Sequence, residues 1–453
     1  TSINMANRII KWEKHHGTRW VVQRLKDIKS LILGKDVKTI RLRPNGIIWG
    51  DFGPVHRLSM RNRRGFRNSL RICSIYGIVK APRVEKSDYM KFKKLLVEDH
   101  TPVLLNPIVI HDIYYELSHE ISKGLKFSSF PFGKTRAPLC GEKAKIEANI
   151  SMSSHLRTLD CFPNIVLNHF KFFHDIMPTR NLSDYFDKSE KDYVGKVIGL
   201  TKDRGMKIRF IANPFRSIQV ALSRLKLATE SLLKLHPNSC VYNQESGIDW
   251  VIEQLKLGHS ISSIDLSNCS DHLPLSFQIE MLNSLFPSLA EDIEIFEEVS
   301  RSIWKTNHSD IEIQWKNGQP LGTNPSFSVF TLWHIFLVTS IGGTIKNFRV
   351  IGDDIVISSS ILSKRYVKTM SLLQVPISES KSLFDSDVAE FAGRIIDKNG
   401  LLPVYKASPI DYVKDPMGLY RQYGMKCNKI VPKDLKKILD FVYQLPIYGY
   451  GMI

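Results

Sequence analysis

The sequence has 453 residues, more than one small hydrophobic core organises, so we expect two or three subdomains around a large core. A hydrophobic content of 43% and an aromatic content of 10% exclude a disordered or fibrous chain. The 63 Lys and Arg residues outnumber the 45 Asp and Glu residues, and the resulting net charge of +18 favours a polyanionic partner, most often a nucleic acid. A basic enzyme without such a partner is the alternative.

The six cysteines lie far apart and form no CxxC pair, which indicates free thiols in a reducing compartment. No segment has the length and apolarity of a membrane span. The N-terminus has no apolar region of the kind found in secretory signals, although its basic start is also compatible with the remnant of an organelle transit peptide.

Residues 89–97 and 110–125 are predicted to form helices, and residues 57–71 form a basic segment with an interleaved Phe66. This segment is a candidate RNA-contacting surface, and a solvated basic face is the alternative. The arginines proposed to contact RNA are Arg57, Arg61, Arg63, Arg64 and Arg67.

The segment KVIGLTKDRGMKIRFIAN, residues 196–213, predicts two short strands around a turn at Gly205. On a strand, Lys207 and Arg209 share one face, while Ile208 and Phe210 face the core. Two cations on one face suit a triphosphate or a nucleic-acid backbone. A half-exposed strand with ordinary alternating charge is the alternative.

The segment SISSIDLSNCSDHLPLSF, residues 260–277, predicts a strand over 261–266 that carries Asp265 at its end. Asp271 follows in a polar turn, where the chain approaches a helix N-terminus that favours a negative side chain. Asp271 is therefore either a site residue or a helix cap.

The segment WKNGQPLGTNPSFSVF, residues 315–330, predicts a loop with Gly318 and Gly322 that leads into a long apolar helix from about Pro325. Glycines let the backbone approach a ligand closely. The helix is too apolar for the surface, so we expect it to pack beneath a site that its polar start borders.

The segment FRVIGDDIVIS, residues 348–358, predicts a hairpin with Gly352, Asp353 and Asp354 at its tip. Carboxylates among apolar strands need partners of opposite charge, either metal ions or basic side chains. If separate strands bring Asp265 and Asp353 side by side, they suit two divalent ions about 4 Å apart. Oxygen donors of this kind favour Mg²⁺, or Mn²⁺, shared with a nucleoside triphosphate.

The ordered set KIRFIA, DLSNCSD, GQPLGTNPS, IGDD, SESKS and AEFAGR resembles motifs F, A, B, C, D and E of viral RNA-dependent RNA polymerases. The DLSxxSD and GQPxG forms are similar to those of narnaviruses, mitoviruses, ourmiaviruses and RNA-phage replicases. The resemblance covers residues 197–396, about two-fifths of the chain, and its specificity lies in the order and spacing of the motifs.

The resemblance implies an α+β, right-hand fold of fingers, palm and thumb, in which an antiparallel palm sheet carries the GDD hairpin. The implied domains are a mostly helical N-terminal extension that bridges fingers and thumb (1–195), fingers (196–259), a palm with an inserted fingers segment (260–400) and a short thumb (401–453).

The resemblance also implies roles for individual residues. Asp265 and Asp353 are the implied metal pair, with Asp354 as an auxiliary ligand, and Lys381 is the implied proton donor to pyrophosphate, with a plain surface lysine as the alternative. The implied nucleotide-binding residues are Lys207 and Arg209 over the triphosphate, Asp271 as the sensor of the ribose 2′-hydroxyl, and Gly322, Thr323, Asn324 and Ser326 in the glycine loop.

Two features depart from the family pattern. Better-known positive-strand polymerases carry an Asn eight residues after the motif B glycine, where this chain has Phe330. Ser326, Thr323 or Asn324 is therefore a candidate to orient Asp271. The short segment after motif E predicts a minimal thumb, or a thumb that a second protein chain or host factor completes.

The implied activity is template-directed synthesis of RNA during viral genome replication, with an RNA template, a product strand and ribonucleoside triphosphates as partners. The expected location is the host-cell cytoplasm, or the mitochondrion if the chain is mitovirus-like. The alternatives are a reverse transcriptase, disfavoured by Asp271 and Gly352, and an inactive RNA-binding scaffold, disfavoured by the retained aspartates.

Overall fold

In the computed structural model, the chain is a mixed α and β structure with antiparallel strand pairs at its centre. The described residues are 2–35, 37–79, 83–97, 112–124, 194–201, 205–214, 216–379 and 381–402. The predicted thumb, residues 401–453, lies outside the described residues except for its first two positions.

Helices dominate the described N-terminal residues and flank the strands later in the chain. The helices are α1 (Ser2–His16), α2 (Thr18–Ile32), α3 (Gly53–Ser59), α4 (Arg63–Cys73), α5 (Lys86–Val97), α6 (Asp112–Gly124), α7 (Arg216–Ala221), α8 (Ser223–Leu235), α9 (Gln244–Lys256), α10 (Cys269–His272), α11 (Leu275–Leu285), α12 (Ala290–Arg301), α13 (Ser326–Ser340) and α14 (Ser360–Leu372). Helices α5 and α6 confirm the two helices predicted from the apolar pattern.

The strands form three small sheets. They are β1 (Gly195–Thr201), β2 (Ile208–Pro214), β3 (Ile261–Asp265), β4 (Trp304–Lys305), β5 (Glu312–Ile313), β6 (Phe348–Ile351), β7 (Asp354–Ile357), β8 (Leu383–Ser386), β9 (Val388–Phe391), β10 (Arg394–Asp397) and β11 (Gly400–Leu402). The sheet orders are β2-β1-β4-β5, β6-β7-β3-β8 and β11-β10-β9.

The sheet β6-β7-β3-β8 is antiparallel throughout and carries the predicted hairpin. Strands β6 and β7 pair Ile351 with Asp354, so Gly352 and Asp353 form a two-residue turn. Gly352 has a φ of 59°, as the tight turns of two-residue hairpins require. The hairpin prediction and the antiparallel α+β fold are therefore confirmed.

Helix α13 lies in the interior beneath this sheet. Its sequence is apolar on all sides, so no face favours water, and residues from Ser326 to Val338 are buried apart from Phe327. Trp333 and Phe336 are fully buried, in the same cluster as Phe348 and Val350 of β6. The helix predicted from Pro325 begins one residue later and has the predicted internal position.

The N-terminal helices pack on the edge of the sheets. A second core joins buried side chains of α2 and α4, such as Leu25 and Leu70, to Leu383 of β8, Ile395 of β10 and Leu402 of β11. This packing places α2 beside the segment that carries β8 and β9. Of the described helices, none is long and apolar enough to cross a membrane.

The glycine loop between β5 and α13 lies directly against β2. The Ala212 N–H donates to the carbonyl oxygen of Leu321 at 2.8 Å. Gly322 has a φ of 132°, and an added Cβ would lie 2.0 Å from the Ala212 oxygen. Only glycine therefore fits between the loop and the strand.

This close approach predicts that Gly322→Ala lowers the free energy of unfolding by more than about 2 kcal/mol, because steric overlap adds to backbone strain. Gly258→Ala is the matched control, since Gly258 also has a positive φ of 84° but has nothing within 4 Å of an added Cβ. Urea unfolding of both variants measures the difference. Equal losses would show that the contact with β2 is not tight.

Candidate active site

The candidate site lies where β3 ends beside the tip of the β6–β7 hairpin. Asp265, the last residue of β3, pairs in register with Asp354, the first residue of β7. Asp353 is exposed at the tip, while Asp265 and Asp354 are half-buried. Asp265 and Asp353 were predicted to lie side by side; the strand register places Asp354 opposite Asp265, and Asp353 is the adjacent residue in the turn.

The hairpin tip is fixed from below by a buried histidine. His334 of α13 is fully buried, with Nδ1 2.8 Å from the Gly352 carbonyl oxygen and Nε2 2.7 Å from the Tyr366 hydroxyl. Because the carbonyl can only accept, Nδ1 carries the proton and Nε2 accepts from Tyr366. Burial lowers the pKa of His334 to about 4, so the ring stays neutral.

Sequence reasoning missed His334 because a single histidine in an apolar helix gives no motif. Its one signal is the polar ring itself, which needs a partner wherever it is buried.

Lys381 reaches into the site. Its ammonium lies 2.8 Å from Asp265 Oδ1, and the backbone N–H of Asp265 donates to Ser382 Oγ at 3.0 Å. Lys381 is therefore paired with a site carboxylate, which disfavours the reading of a plain surface lysine.

Lys207 lies within electrostatic reach of the same carboxylates, and Arg209 lies close to Lys207. The pKa of Lys207 is lowered, chiefly by loss of hydration and then by the positive charges of Arg209 and Lys381, while Asp265 and Asp353 oppose this shift. The charges of Lys207 and of the two carboxylates therefore act on one another across the site.

Helix α2 and the loop after it add lysines that sequence reasoning missed. Lys35 is buried, donates to the backbone carbonyl of Lys381, and lies 3.7 Å from a carboxylate oxygen of Glu390. Burial lowers the pKa of Lys35, and the charges of Glu390 and Asp265 counteract this. Lys29 also lies 3.8 Å from Glu390. The N-terminal layer thus contacts the Lys381 segment directly.

Asp271 lies in the short helix α10, and its Oδ1 accepts a hydrogen bond of 2.8 Å from the Trp315 indole N–H. Burial raises the pKa of Asp271 to about 7, and the bond from Trp315 acts against this rise. The carboxylate thus changes its charge close to neutral pH.

The glycine loop bonds to Gln219 of α7 and not, as expected, to Asp271. Asn324 bonds to Gln219 through its side-chain amide and its backbone N–H, and Gln219 also donates to the Gly322 carbonyl oxygen at 2.9 Å. The hydroxyls of Thr323 and Ser326 are buried without a hydrogen-bond partner among the described residues. Thr323, Asn324 and Ser326 therefore do not orient Asp271, whose side-chain hydrogen bond comes from Trp315.

The arginines of residues 57–67 divide into two groups. Arg63 donates to Asp397 Oδ2 at 2.8 Å and to the carbonyl oxygens of Gly400 and Leu401, so it joins α4 to the β10–β11 hairpin. Arg57, Arg61 and Arg64 are exposed, and Arg67 is half-buried. Contact of these arginines with RNA stays a prediction.

The carboxylates have the chemistry that Mg²⁺ or Mn²⁺ prefers, since all three supply oxygen donors. In the described part of the chain, no group of three or more His, Cys, Asp or Glu converges on one point as a preformed metal site. Carboxylates in smaller numbers bind Mg²⁺ together with phosphate and water oxygens. The Lys381 ammonium against Asp265 shows that this position accepts a cation.

Comparison with solved structures shows the class of fold. The RNA-dependent RNA polymerase of a human picorbirnavirus, in an insertion-loop deletion mutant, is similar over 86% of this chain and 84% of that chain, with a TM-score of 0.54 and 12% identity. An RNA polymerase complex inside a double-stranded RNA virus is similar over 97% of this chain and 46% of that chain, with a TM-score of 0.54 and 9% identity. The chain has the fold of viral RNA-dependent RNA polymerases.

The family model described as Mitovirus RNA-dependent RNA polymerase matches residues 139–408, more than half of the chain. The chain belongs to this family. The RNA-directed RNA polymerase of Cryphonectria parasitica mitovirus 1 is 27% identical over 226 residues, 46% of this chain and 26% of that protein. An uncharacterized mitochondrial protein of Arabidopsis thaliana is 28% identical over 189 residues, 37% of this chain and 88% of that protein. The alignment thus spans about a quarter of the mitovirus relative's length.

The raised pKa of Asp271 predicts a pH-dependent effect of Asp271→Asn. Between the ordinary carboxyl pKa of 3.8 and about 7, the native state holds a proton that the unfolded chain releases, so the wild-type free energy of unfolding falls as pH rises. Asn lacks this penalty and still accepts from Trp315. Relative to wild type, we expect the free energy of unfolding of the variant to rise by roughly 1–3 kcal/mol as pH increases from about 5 to about 8. Urea unfolding at both pH values measures this change. An equal difference at both pH values would contradict the shifted pKa.

The two arginine groups predict separable effects. Arg63→Gln removes three donor contacts and should lower the free energy of unfolding by about 1 kcal/mol without changing RNA affinity. Arg64→Gln should leave stability unchanged and reduce the slope of log affinity against log salt by about 1 if Arg64 meets a phosphate. Chemical denaturation and RNA-binding titrations check both, and a stability loss with Arg64→Gln would overturn this division.

Proposed function

We propose that this chain is an RNA-dependent RNA polymerase that adds ribonucleotides to the 3′-hydroxyl of an RNA strand during viral genome replication. The observation that carries the proposal is the strand pairing of Asp265 with Asp354, which brings a carboxylate from β3 to the base of the turn that presents Asp353. Carboxylates from two separate chain segments meet at one end of the two central strands, beside basic side chains. Family membership and the polymerase fold support the same activity.

Asp265 and Asp353 would hold two Mg²⁺ ions, with Asp354 as an auxiliary ligand. When bound, such ions activate the attacking hydroxyl and stabilise the leaving pyrophosphate. The carboxylates suit this role because two of them are only half-buried and Asp353 is exposed, so that phosphate and water have access to them.

Lys207 and Arg209 would bind the triphosphate, and Lys381 would donate a proton from Nζ to the leaving pyrophosphate. Lys207 and Arg209 belong to the segment that leads into and forms β2, the strand against which the glycine loop lies. Lys381 pairs with Asp265, and Lys207 lies within electrostatic reach of Asp265 and Asp353, so cations from two chain segments adjoin the carboxylates that a triphosphate would approach.

Asp271 would recognise the ribose 2′-hydroxyl, with the hydroxyls of Thr323 and Ser326 nearby in the glycine loop. Those hydroxyls are buried without described partners, and a buried polar group without a partner is costly unless a ligand supplies one. This feature favours a hydrogen-bonding ligand at the start of α13.

The partners under this proposal are an RNA template, its product strand and ribonucleoside triphosphates, which suits the net charge of +18. The family and the mitochondrial relatives favour the mitochondrion of the host cell over its cytoplasm.

Asp353→Asn tests the proposal. It should abolish incorporation of labelled ribonucleotides on an RNA template with Mg²⁺, because the amide cannot neutralise a divalent ion, yet it should leave RNA affinity within about twofold. Extension assays and binding titrations on the same preparations provide the two measurements.

Asp387→Asn is the matched control, with the same chemical change on an exposed carboxylate. Asp387 follows Ser386, which pairs with Ile261 at the opposite end of β3 from Asp265. It should polymerise at the wild-type rate. Polymerisation by Asp353→Asn at the wild-type rate would refute the metal assignment. If the wild-type protein binds RNA but incorporates no nucleotide, an inactive scaffold is favoured. If the wild-type protein prefers deoxynucleotides, a reverse transcriptase is favoured.

A further inference from the structure

Asp271, the carboxylate proposed to recognise the ribose 2′-hydroxyl, needs a fixed orientation, and the Asn expected to provide it is absent. Phe330 stands where related polymerases carry an Asn on the motif B helix, and a phenyl ring donates no hydrogen bond. Asn324 bonds to Gln219 through its side-chain amide and its backbone N–H, and no bond joins it to Asp271. Another residue must therefore set the position of the carboxylate.

We propose that Trp315 is the positioning residue that sets ribose selection, because its indole N–H fixes Asp271 Oδ1 and leaves Oδ2 to meet the 2′-hydroxyl of the incoming nucleotide. The indole nitrogen lies 2.8 Å from Oδ1, a normal hydrogen-bond distance. Among the described residues, no other side chain bonds to this carboxylate. The inference rests on the proposed polymerase function and adds the residue that makes it selective for ribose.

The indole itself is held rigidly by other rings. Trp315 is 3% exposed, and it packs edge-to-face against Trp304, with ring centroids 6.0 Å apart, and against Phe92 of α5, at 5.9 Å. Phe92 in turn stacks on Phe210 of β2 at 4.4 Å. A donor fixed by packing on two sides loses little entropy when it orients a carboxylate.

The backbones that carry the two residues are also tied together. Gln319 donates its N–H to the Ser270 carbonyl oxygen at 2.8 Å, and Leu275 donates its N–H to the Asn317 carbonyl oxygen at 2.7 Å. An added Cβ on Gly318 would lie 2.1 Å from the Ser270 oxygen. The segment 315–319 therefore lies against 270–275 without room to shift, which keeps the N–H and the carboxylate in register.

Trp304 provides a matched control for Trp315. Its indole is also buried, and its Nε1 has no hydrogen-bond partner among the described residues. Trp→Phe at either position removes the same atoms from the same ring cluster. Only the change at position 315 removes a bond to Asp271.

The experiment compares wild type, Trp315→Phe, Trp304→Phe and Asp271→Ala. We measure the ratio of kcat/KM for ATP to kcat/KM for dATP on an RNA template. Trp315→Phe should reduce this ratio about 10-fold, as expected for loss of one hydrogen bond to a carboxylate, mainly through a higher KM for ATP, and Trp304→Phe should leave it within about twofold.

Equilibrium affinities for ATP and dATP, measured by competition with a fluorescent nucleotide in the presence of Ca²⁺, provide a second readout that needs no turnover. Thermal unfolding confirms that each variant is folded. If Trp315→Phe is unfolded, a benzothienylalanine at position 315 keeps the shape of the indole and lacks its N–H, and it should show the same loss of discrimination.

Each outcome decides the inference. Full discrimination by the Trp315 variants, or equal losses in the Trp315 and Trp304 variants, would overturn it, since the hydrogen bond would then have no specific effect. Unchanged discrimination by Asp271→Ala would overturn the sensing role itself. If wild type fails to polymerise, the proposed function fails separately, and the ratio of ATP to dATP affinities still decides whether Trp315 acts on the ribose.

Discussion

The antiparallel pairing of β3 with β7 is the interaction on which the rest of the site depends. Its register sets Asp265 against Asp354 and leaves Asp353 at the tip of the adjoining turn. A slip of one residue would turn every side chain of the strand to the other face. The buried helix α13 prevents such a slip, because His334 fixes the Gly352 carbonyl while apolar side chains pack beneath the sheet.

The described N-terminal residues belong to the same physical unit as the carboxylates. Lys29 and Lys35 lie against Glu390, and Lys35 also donates to the backbone of Lys381, the residue paired with Asp265. A cation buried beside a carboxylate is stable only while both partners are in place. The packing of α2 on the sheet edge and the charge balance of the site therefore depend on each other.

Local patterns predicted the elements that surround the site. The strand ending at Asp265, the hairpin around Gly352 and the apolar helix α13 follow from periodicity and turn residues within about 15 positions. The residues that position these elements escaped prediction. Trp315 and Asp271 are 44 positions apart, His334 and Tyr366 are 32 apart, and Lys35 and Lys381 are 346 apart. No local pattern signals such pairs, and Thr323, Asn324 and Ser326 were candidates to orient Asp271 because they lie close to Phe330, the position of the family's Asn.

The sequence by itself determined the order of the motifs, the residue types that carry charge and the local form of each element, because these depend on neighbours along the chain. The tertiary structure alone decided which carboxylate faces Asp265, which donor holds Asp271, and that α2 and the loop after it bring lysines to the site. The reason is that hydrogen bonds and ion pairs depend on separations of a few ångströms in space. Packing of distant segments sets those separations, and the sequence spacing of the groups does not.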